Sequence, residues 1–108
     1  MGKAQRDKGR RYELEVRDAL ASFSPAQRTS EAGIPVPDIF WMNRYVECRI
    51  RGKQHESLAK AAKELQGDAS LYVTRVDRGE SLVVMTLDGF LDLLDDARQM
   101  KKGPMTYG

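Results

Sequence analysis

An aspartate that follows a proline, and an acidic–basic pair shortly after it, are the residues of this chain best suited to chemistry. Asp38 follows Pro37, and Glu47 and Arg49 lie together on a later β-rich run. Carboxylate oxygens are ligands that Mg²⁺ prefers, and a guanidinium can bind a phosphate through two parallel hydrogen bonds. Two carboxylates and a cation brought together across a hairpin could therefore hold a divalent metal ion and a phosphate.

Two short runs rich in Ile, Phe, Trp, Tyr and Val, 38–41 and 44–51, must position these residues. Met42-Asn43 separates the two runs, and Asn is common in turns because it tolerates a left-handed backbone. The sequence therefore predicts a β-hairpin, with Gly52 ending its second strand.

Side chains alternate between the two faces of a strand, so Glu47 and Arg49 share one face with Tyr45. We expect the opposite, apolar set to point into the core; it comprises Val46, Cys48 and Ile50. The same pattern also fits a solvated charge pair on an exposed sheet face, with Asp38 simply following a turn.

The composition is that of one ordinary globular domain. The chain has 108 residues, of which 41% are hydrophobic and 31% are charged. A single cysteine, Cys48, excludes an intramolecular disulfide and a thiolate metal cluster, and it fits a reducing compartment. Because the N-terminus is polar and basic, we expect no secretory signal there, and no apolar run reaches the length of a membrane span. We expect a cytoplasmic protein without membrane contact, in a prokaryotic cell or a virus-infected host cell.

Charge is distributed unevenly along the chain. Residues 1–17 carry six Lys or Arg against three Asp or Glu, and residues 44–53 carry four against one. Residues 87–100, in contrast, carry one Arg against four Asp. Basic segments beside a carboxylate pair indicate a polyanionic partner, most commonly nucleic acid, although such runs also serve as solubilising surface.

A first amphipathic helix is predicted over 8–23, preceded by a loose basic arm over 1–7. Its apolar stripe comprises Tyr12, Val16, Ala19, Leu20 and Phe23. Glu13 lies beside the stripe. It could form an i,i+4 pair with Arg17, worth ~0.3–0.5 kcal/mol, or lean toward the hairpin as a third carboxylate.

The remaining elements complete an α/β pattern. We predict a weak strand over 27–31, a loop over 32–37, a helix over 56–66, strands over 70–76 and 81–85, a helix over 87–100, and a tail over 101–108. The fold class is α/β, a mixed central β-sheet flanked by helices, within a single domain over 8–100.

Three short motifs resemble the PD-(D/E)XK nuclease superfamily. They are Lys8-Gly9-Arg10-Arg11-Tyr12-Glu13 at the start of the first helix, Pro37-Asp38 at the start of a strand, and Glu47-Cys48-Arg49 on the next strand. The chain is most similar to archaeal-type Holliday junction resolvases and related small phage and bacterial nucleases. The resemblance covers roughly Lys8 to Val76 and implies the restriction-endonuclease-like fold, with an α-β-β-β-α-β core.

By this resemblance, Asp38, Glu47 and the backbone carbonyl of Cys48 would bind Mg²⁺ or Mn²⁺, with Glu13 contributing directly or through water. Arg49 departs from the family, which has Lys at this position. Arginine keeps its proton and cannot act as a base, so we assign it to stabilising charge on the scissile phosphate. The departure leaves open a slow enzyme, or one that has kept only binding.

The DNA-contacting residues predicted from the basic segments and the resemblance are Lys3, Arg6, Lys8, Arg10, Arg11, Ser30, Arg51 and Lys53. His55, the sole histidine, is interpreted as a solvated turn residue rather than as a metal ligand or general base. Trp41 is interpreted as a core or dimer contact rather than as a platform for base stacking.

Together these features predict a metal-dependent DNA endonuclease, a Holliday junction resolvase of DNA recombination. Resolution needs two symmetric cuts, so a homodimer is expected, with Trp41, the last helix and the final strands as candidate interfaces. Three alternatives stay open. They are a non-catalytic nucleic-acid-binding module on the same fold, a nicking, flap or single-strand nuclease, and a small interaction protein with a charged surface.

Overall fold

Five strands form one mixed sheet in the computed structural model, which describes the backbone of residues 3–32 and 37–107 and the side chains of residues 6–30 and 37–100. The elements in chain order are α1 (Lys3–Ala21), β1 (Ala26–Arg28), the single turn α2 (Thr29–Ala32), β2 (Ile39–Trp41), β3 (Arg44–Arg51), α3 (Leu58–Lys63), β4 (Ala69–Val76), β5 (Leu82–Val84) and α4 (Leu87–Tyr107).

The strands lie side by side in the order β1-β2-β3-β4-β5. Only β3 and β4 are parallel, and the crossover between them contains α3; the other three neighbouring pairs are antiparallel. The predicted α/β class with a mixed sheet is therefore confirmed, as is the pairing of the last two strands.

The predicted hairpin is formed by β2 and β3, which pair Ile39 with Val46 and Phe40 with Tyr45. Both turn residues have positive φ, 49° at Met42 and 63° at Asn43. Positive φ at both central residues defines the type I′ turn, whose twist matches that of the flanking strands. The turn thereby fixes which residues of the two strands lie opposite each other.

The core lies between α1 and one face of the sheet. Its buried residues are Tyr12, Val16, Ile39, Trp41, Val46, Cys48, Leu71 and Val73. Val46 and Cys48 point into this core as predicted. Trp41 is only 6% exposed, and its Nε1 donates to the carbonyls of Leu20 and Ser24, both at 3.0 Å. Trp41 is therefore a core residue that fixes the end of α1, and its proposal as an exposed interface residue is wrong.

Several boundaries differ from the prediction. Helix α1 begins at Lys3, so the loose arm is wrong for residues 3–7, whose Lys, Ala, Gln and Arg favour helix. The predicted strand over 27–31 splits into β1 and α2. Helix α3 begins two residues later than predicted because Ser57 caps it by accepting the Lys60 N–H, and it ends three residues earlier, at Lys63. The predicted tail is wrong for residues 101–107, which continue α4. Most of the predicted loop, 33–36, lies outside the described residues.

None of the helices in the described ranges combines the length and the apolar composition that crossing a membrane requires.

Candidate metal and phosphate site

Asp38 lies just before β2, where two hydrogen bonds fix the chain. Continuing the β2–β3 register by one position places Asp38 opposite Glu47. The N–H of Cys48 donates to Asp38 Oδ2 at 2.7 Å, and the Asp38 carbonyl accepts from the N–H of Thr29 at 3.0 Å. The side chain and backbone of Asp38 are therefore both held, one by β3 and one by the end of β1.

Glu13 reaches the same place from α1 and is paired with an arginine that sequence reasoning missed. Arg28, on β1, donates to Glu13 Oε1 through Nε at 3.3 Å and Nη2 at 3.2 Å. Both side chains are mostly buried, with 14% of Arg28 and 22% of Glu13 exposed. No local pattern in the sequence indicates Arg28, because its position beside Asp38 depends on the pairing of β1 with β2.

Glu13, Asp38 and Glu47 thus form an acidic cluster, in which the charge of Asp38 affects the pKa values of both glutamates. Burial raises the pKa of Glu13, and the neighbouring Asp38 charge raises it further. Burial is also the largest cause of the raised pKa of Glu47, and the charge of Asp38 is the second. Burial also raises the pKa of Asp38, in spite of the Cys48 N–H and the charge of Arg49. Crowded carboxylates with raised pKa values form a site that a bound cation would stabilise.

Arg49 bridges two of the acidic residues near this cluster. Its Nη2 donates to Glu47 Oε2 at 2.9 Å and to Glu64 Oε1 at 3.3 Å. Glu64 is the C-cap residue of α3, so α3 helps to position the guanidinium. Burial lowers the pKa of Arg49, but Glu47 and Glu64 more than offset this effect, and Arg49 stays protonated.

An open cleft of about 420 Å³ adjoins the carboxylates. It is lined by Arg6, Gly9, Arg10, Glu13, Arg28, Thr29, Ser30 and Asp38. Three arginines and two carboxylates meet here, which suits a phosphate next to a divalent cation. Gly9 lies within α1, and a β-carbon built there would have no neighbour within 4 Å. The free protein therefore gives no steric reason for a glycine at this position.

The predicted DNA-contacting residues fall into separate groups. Arg6, Arg10 and Ser30 line the cleft. Lys8 instead pairs with Asp77 at 2.6 Å, and Arg51 forms two hydrogen bonds with Glu56. The exposed residues Arg11 and Lys53 do not line the cleft, and the side chain of Lys3 lies outside the described residues.

The donor chemistry of the cluster fits Mg²⁺ or Mn²⁺, although the side chains are not arranged as a finished ligand set. Within the described side chains, no group of three or more His, Cys, Asp or Glu is arranged to hold a metal ion. Glu13 and Glu47 are each held by an arginine instead. Burial raises the pKa of the Cys48 thiol, so only its backbone is suited to a ligand role. His55 is exposed beyond β3, which agrees with a turn residue.

No protein-family model matches the chain, and neither a curated protein nor a solved structure matches it.

Proposed function

We propose that this chain is a metal-dependent DNA endonuclease of the PD-(D/E)XK type, selective for branched DNA such as a Holliday junction. One observation carries the proposal. Three partly buried carboxylates, Glu13, Asp38 and Glu47, have pKa values raised chiefly by burial, and the charge of Asp38 raises those of Glu13 and Glu47 further. Glu13 and Asp38 line a cleft that three arginines also line. Repelling carboxylates favour a cation, and arginines favour a phosphate.

In this proposal Asp38, Glu47 and the Cys48 carbonyl would hold Mg²⁺ or Mn²⁺, with Glu13 contributing directly or through water. When bound, the ion would supply a water of lowered pKa and a charge that polarises the phosphoryl oxygen. Arg49 would leave Glu47 and bind the scissile phosphate, while its hydrogen bond to Glu64 keeps the guanidinium in place. Its permanent charge suits stabilisation of the developing negative charge.

Arg6, Arg10 and Arg28 are assigned to the DNA backbone because they line the cleft beside Asp38. Ser30 adds a hydroxyl there. Gly9 supports this assignment, because glycine inside a helix costs about 0.5–1 kcal/mol relative to alanine. A DNA strand that approaches α1 closely at Gly9 would explain why the helix carries a destabilising glycine there.

The order of the elements supports the restriction-endonuclease-like assignment. Apart from the single turn α2 between β1 and β2, the elements from α1 to β4 follow the order of the α-β-β-β-α-β core. Fold order carries less weight than the site, because one fold can host many functions.

We extend the proposal to a homodimer that binds a four-way junction. Helix α4 exposes an apolar face, with Leu87, Phe90, Leu91 and Leu94 between 44% and 71% exposed. Two-fold pairing through this face would bring two active sites to one junction.

The proposal is tested by incubating labelled four-way junction, duplex and single-stranded DNA with the protein and Mg²⁺ or Mn²⁺. We expect metal-dependent cleavage, strongest on the junction and abolished by Asp38→Ala. The matched control is Asp18→Ala, which removes an α1 carboxylate that is 67% exposed and pairs with Arg17. Absence of cleavage by the wild type, or cleavage that survives Asp38→Ala, would reject the proposal.

A second candidate is a non-catalytic DNA-binding module on the same scaffold. The Arg49–Glu47 pair favours it, because it neutralises a carboxylate that a metal would need. This candidate predicts junction affinity that falls steeply with salt, while the strands stay intact with every divalent ion.

A further inference from the structure

An aromatic pair on the hairpin, exposed Phe40 and half-buried Tyr45, lies next to the acidic cluster formed by Glu13, Asp38 and Glu47. Phe40 and Tyr45 face each other across β2 and β3, with ring centroids 5.1 Å apart and ring planes at 60°. Phe40 is 39% exposed, although its neighbours Ile39 and Trp41 are 0% and 6% exposed. The tilted arrangement leaves at least one ring face uncovered by the other ring.

Phe40 and Tyr45 lie on the same face of the sheet as Glu47 and Arg49, which belong to the proposed metal and phosphate site. Tyr45 precedes Glu47 by two positions on β3, so the two side chains leave the same face about 7 Å apart. Arg49 follows on that face and contacts Glu47 at 2.9 Å. A strand whose phosphate reached Arg49 would therefore carry a neighbouring base past the rings.

This surface is separate from the apolar face of α4. Arg44, which shares the core face of β3 with Val46, pairs with Asp96 of α4, and Leu93 of α4 packs against the core. Helix α4 thus lies on the side of the sheet opposite Phe40 and Tyr45. Association of two copies through α4 would leave the aromatic pair available to DNA.

We propose that Phe40 and Tyr45 form a stacking site for an unpaired base of the strand bound at the acidic cluster, an inference that rests on the proposed function. Base–aromatic stacking tolerates any sequence, because every base has a π face. Bases within a duplex are already stacked, and extruding one has an energetic cost. The site therefore favours a strand that can present an unpaired base near the scissile phosphate.

The test measures fluorescence anisotropy of a labelled oligothymidylate of about 15 nucleotides and of a duplex of equal length, in EDTA so that no strand is cut. Phe40→Leu and Tyr45→Leu keep apolar volume but remove the ring. We expect each to weaken oligothymidylate binding about 10-fold and duplex binding by less than about twofold. Phe40→Trp keeps an aromatic ring and is expected to bind like the wild type.

Salt provides a second readout that separates stacking from charge. The loss caused by Phe40→Leu should stay constant as salt rises, because stacking releases no counterions. The loss caused by Arg10→Ala should shrink, because that variant removes a phosphate contact. Melting temperatures verify that every variant is folded.

The inference is overturned if both leucine variants bind oligothymidylate like the wild type, if duplex affinity falls equally, or if the variants change the oligomeric state. Such results leave the proposed function intact when cleavage still depends on Asp38. A wild-type protein that neither binds nor cuts any DNA would reject the proposed function itself.

Discussion

At the scale of single residues, Asp38 is the residue that connects the other members of the acidic cluster. It accepts the Cys48 N–H, lies opposite Glu47 and raises the pKa of both Glu13 and Glu47. A carboxylate whose neighbours are also acidic destabilises the free protein at neutral pH. Functional sites commonly carry such a cost in stability.

This cost predicts how stability depends on pH. A carboxyl whose pKa is raised by folding binds its proton more readily in the folded state, so the fold gains stability as pH falls through the raised value. Asp38→Asn keeps an acceptor for Cys48 and removes the central charge. We expect it to raise the free energy of unfolding at pH 7 by about 0.5–2 kcal/mol and to weaken the gain seen on acidification.

Urea unfolding at pH 7 and at mildly acidic pH, without divalent ions, measures both effects. Asp18→Asn is the control and should change stability by less than about 0.5 kcal/mol, as expected for an exposed position. If Asp38→Asn were less stable than the wild type at pH 7, the Asp38 charge would not destabilise the fold through its acidic neighbours.

Arg49 gives a second prediction at this scale. Arg49→Lys keeps a positive charge at the position where the resembling family has lysine, so we expect cleavage to be retained. Arg49→Ala should reduce the cleavage rate about 10²–10³-fold, as loss of one preorganised donor does elsewhere. Single-turnover cleavage measures the rate, and Arg98→Ala, which removes a 66% exposed arginine on α4, serves as control. Equal rates for wild type and Arg49→Ala would remove Arg49 from the mechanism.

The sequence could predict the acidic residues but not their partners. Strand alternation and the Asn43 turn are local features, so Asp38, Glu47 and Arg49 could be placed on one hairpin in advance. Arg28 and Glu64 come from other elements, and their contacts with Glu13 and Arg49 depend on tertiary packing. Lys8 and Arg51 were predicted to contact DNA from the basic segments and the resemblance, neither of which shows that each residue has an acidic partner.

At the scale of elements, α1 brings Glu13 and two of the cleft's three arginines, Arg6 and Arg10, to the hairpin, and β1 brings Arg28. Gly9 lies within this continuous helix, on the side that lines the cleft. We expect Gly9→Ala to stabilise the free protein by about 0.5–1 kcal/mol, because alanine favours helix and its β-carbon meets no neighbour. The same methyl group should weaken DNA binding about 10-fold by crowding the bound strand.

Unfolding and DNA titration of Gly9→Ala separate these two effects. Gly67→Ala is a matched control, since a β-carbon there also meets nothing and Gly67 does not line the cleft. Unchanged DNA affinity in Gly9→Ala would mean that no strand approaches this part of α1.

Helix α4 gives a prediction about assembly. Leu91 and Leu94 are 53% and 49% exposed on its apolar face. If two copies associate there, Leu91→Glu and Leu94→Glu should convert a dimer to a monomer, because each would place a charge in an apolar interface. Light scattering coupled to size-exclusion chromatography measures the mass. The control is Leu58→Glu, which alters a leucine of α3 that is 76% exposed, and this variant should stay dimeric. A wild-type protein that is monomeric would refute the proposed dimer.

Strands were predicted more accurately than helix ends. The β-rich runs and the turn residues are local signals, and they located β3, β4 and the hairpin closely. The start of α1 and the end of α4 were missed because residues 1–7 were predicted as an arm and residues 101–108 as a tail, whereas α1 begins at Lys3 and α4 continues to Tyr107. Nothing in the sequence pattern distinguished a strand over 27–31 from the strand and helical turn that occur there.

At the scale of the whole molecule, the parallel pairing of β3 with β4 and the antiparallel pairing of β2 with β3 form one sheet. Acidic side chains from α1, the start of β2 and β3 meet at one place, where α3 contributes Glu64. The paired charges of Arg44 and Asp96 attach α4 to the opposite face. The fold therefore keeps the proposed catalytic surface apart from the proposed dimer surface.

The central claim is that Glu13, Asp38 and Glu47 bind one divalent ion in the folded chain. Calorimetric titration of the wild type and Asp38→Asn with Mn²⁺, in the absence of DNA, tests it most directly. We predict one Mn²⁺ bound per wild-type chain, displaced by Mg²⁺, and no such binding by Asp38→Asn. Equal binding by the two proteins, or none by the wild type, would contradict the claim.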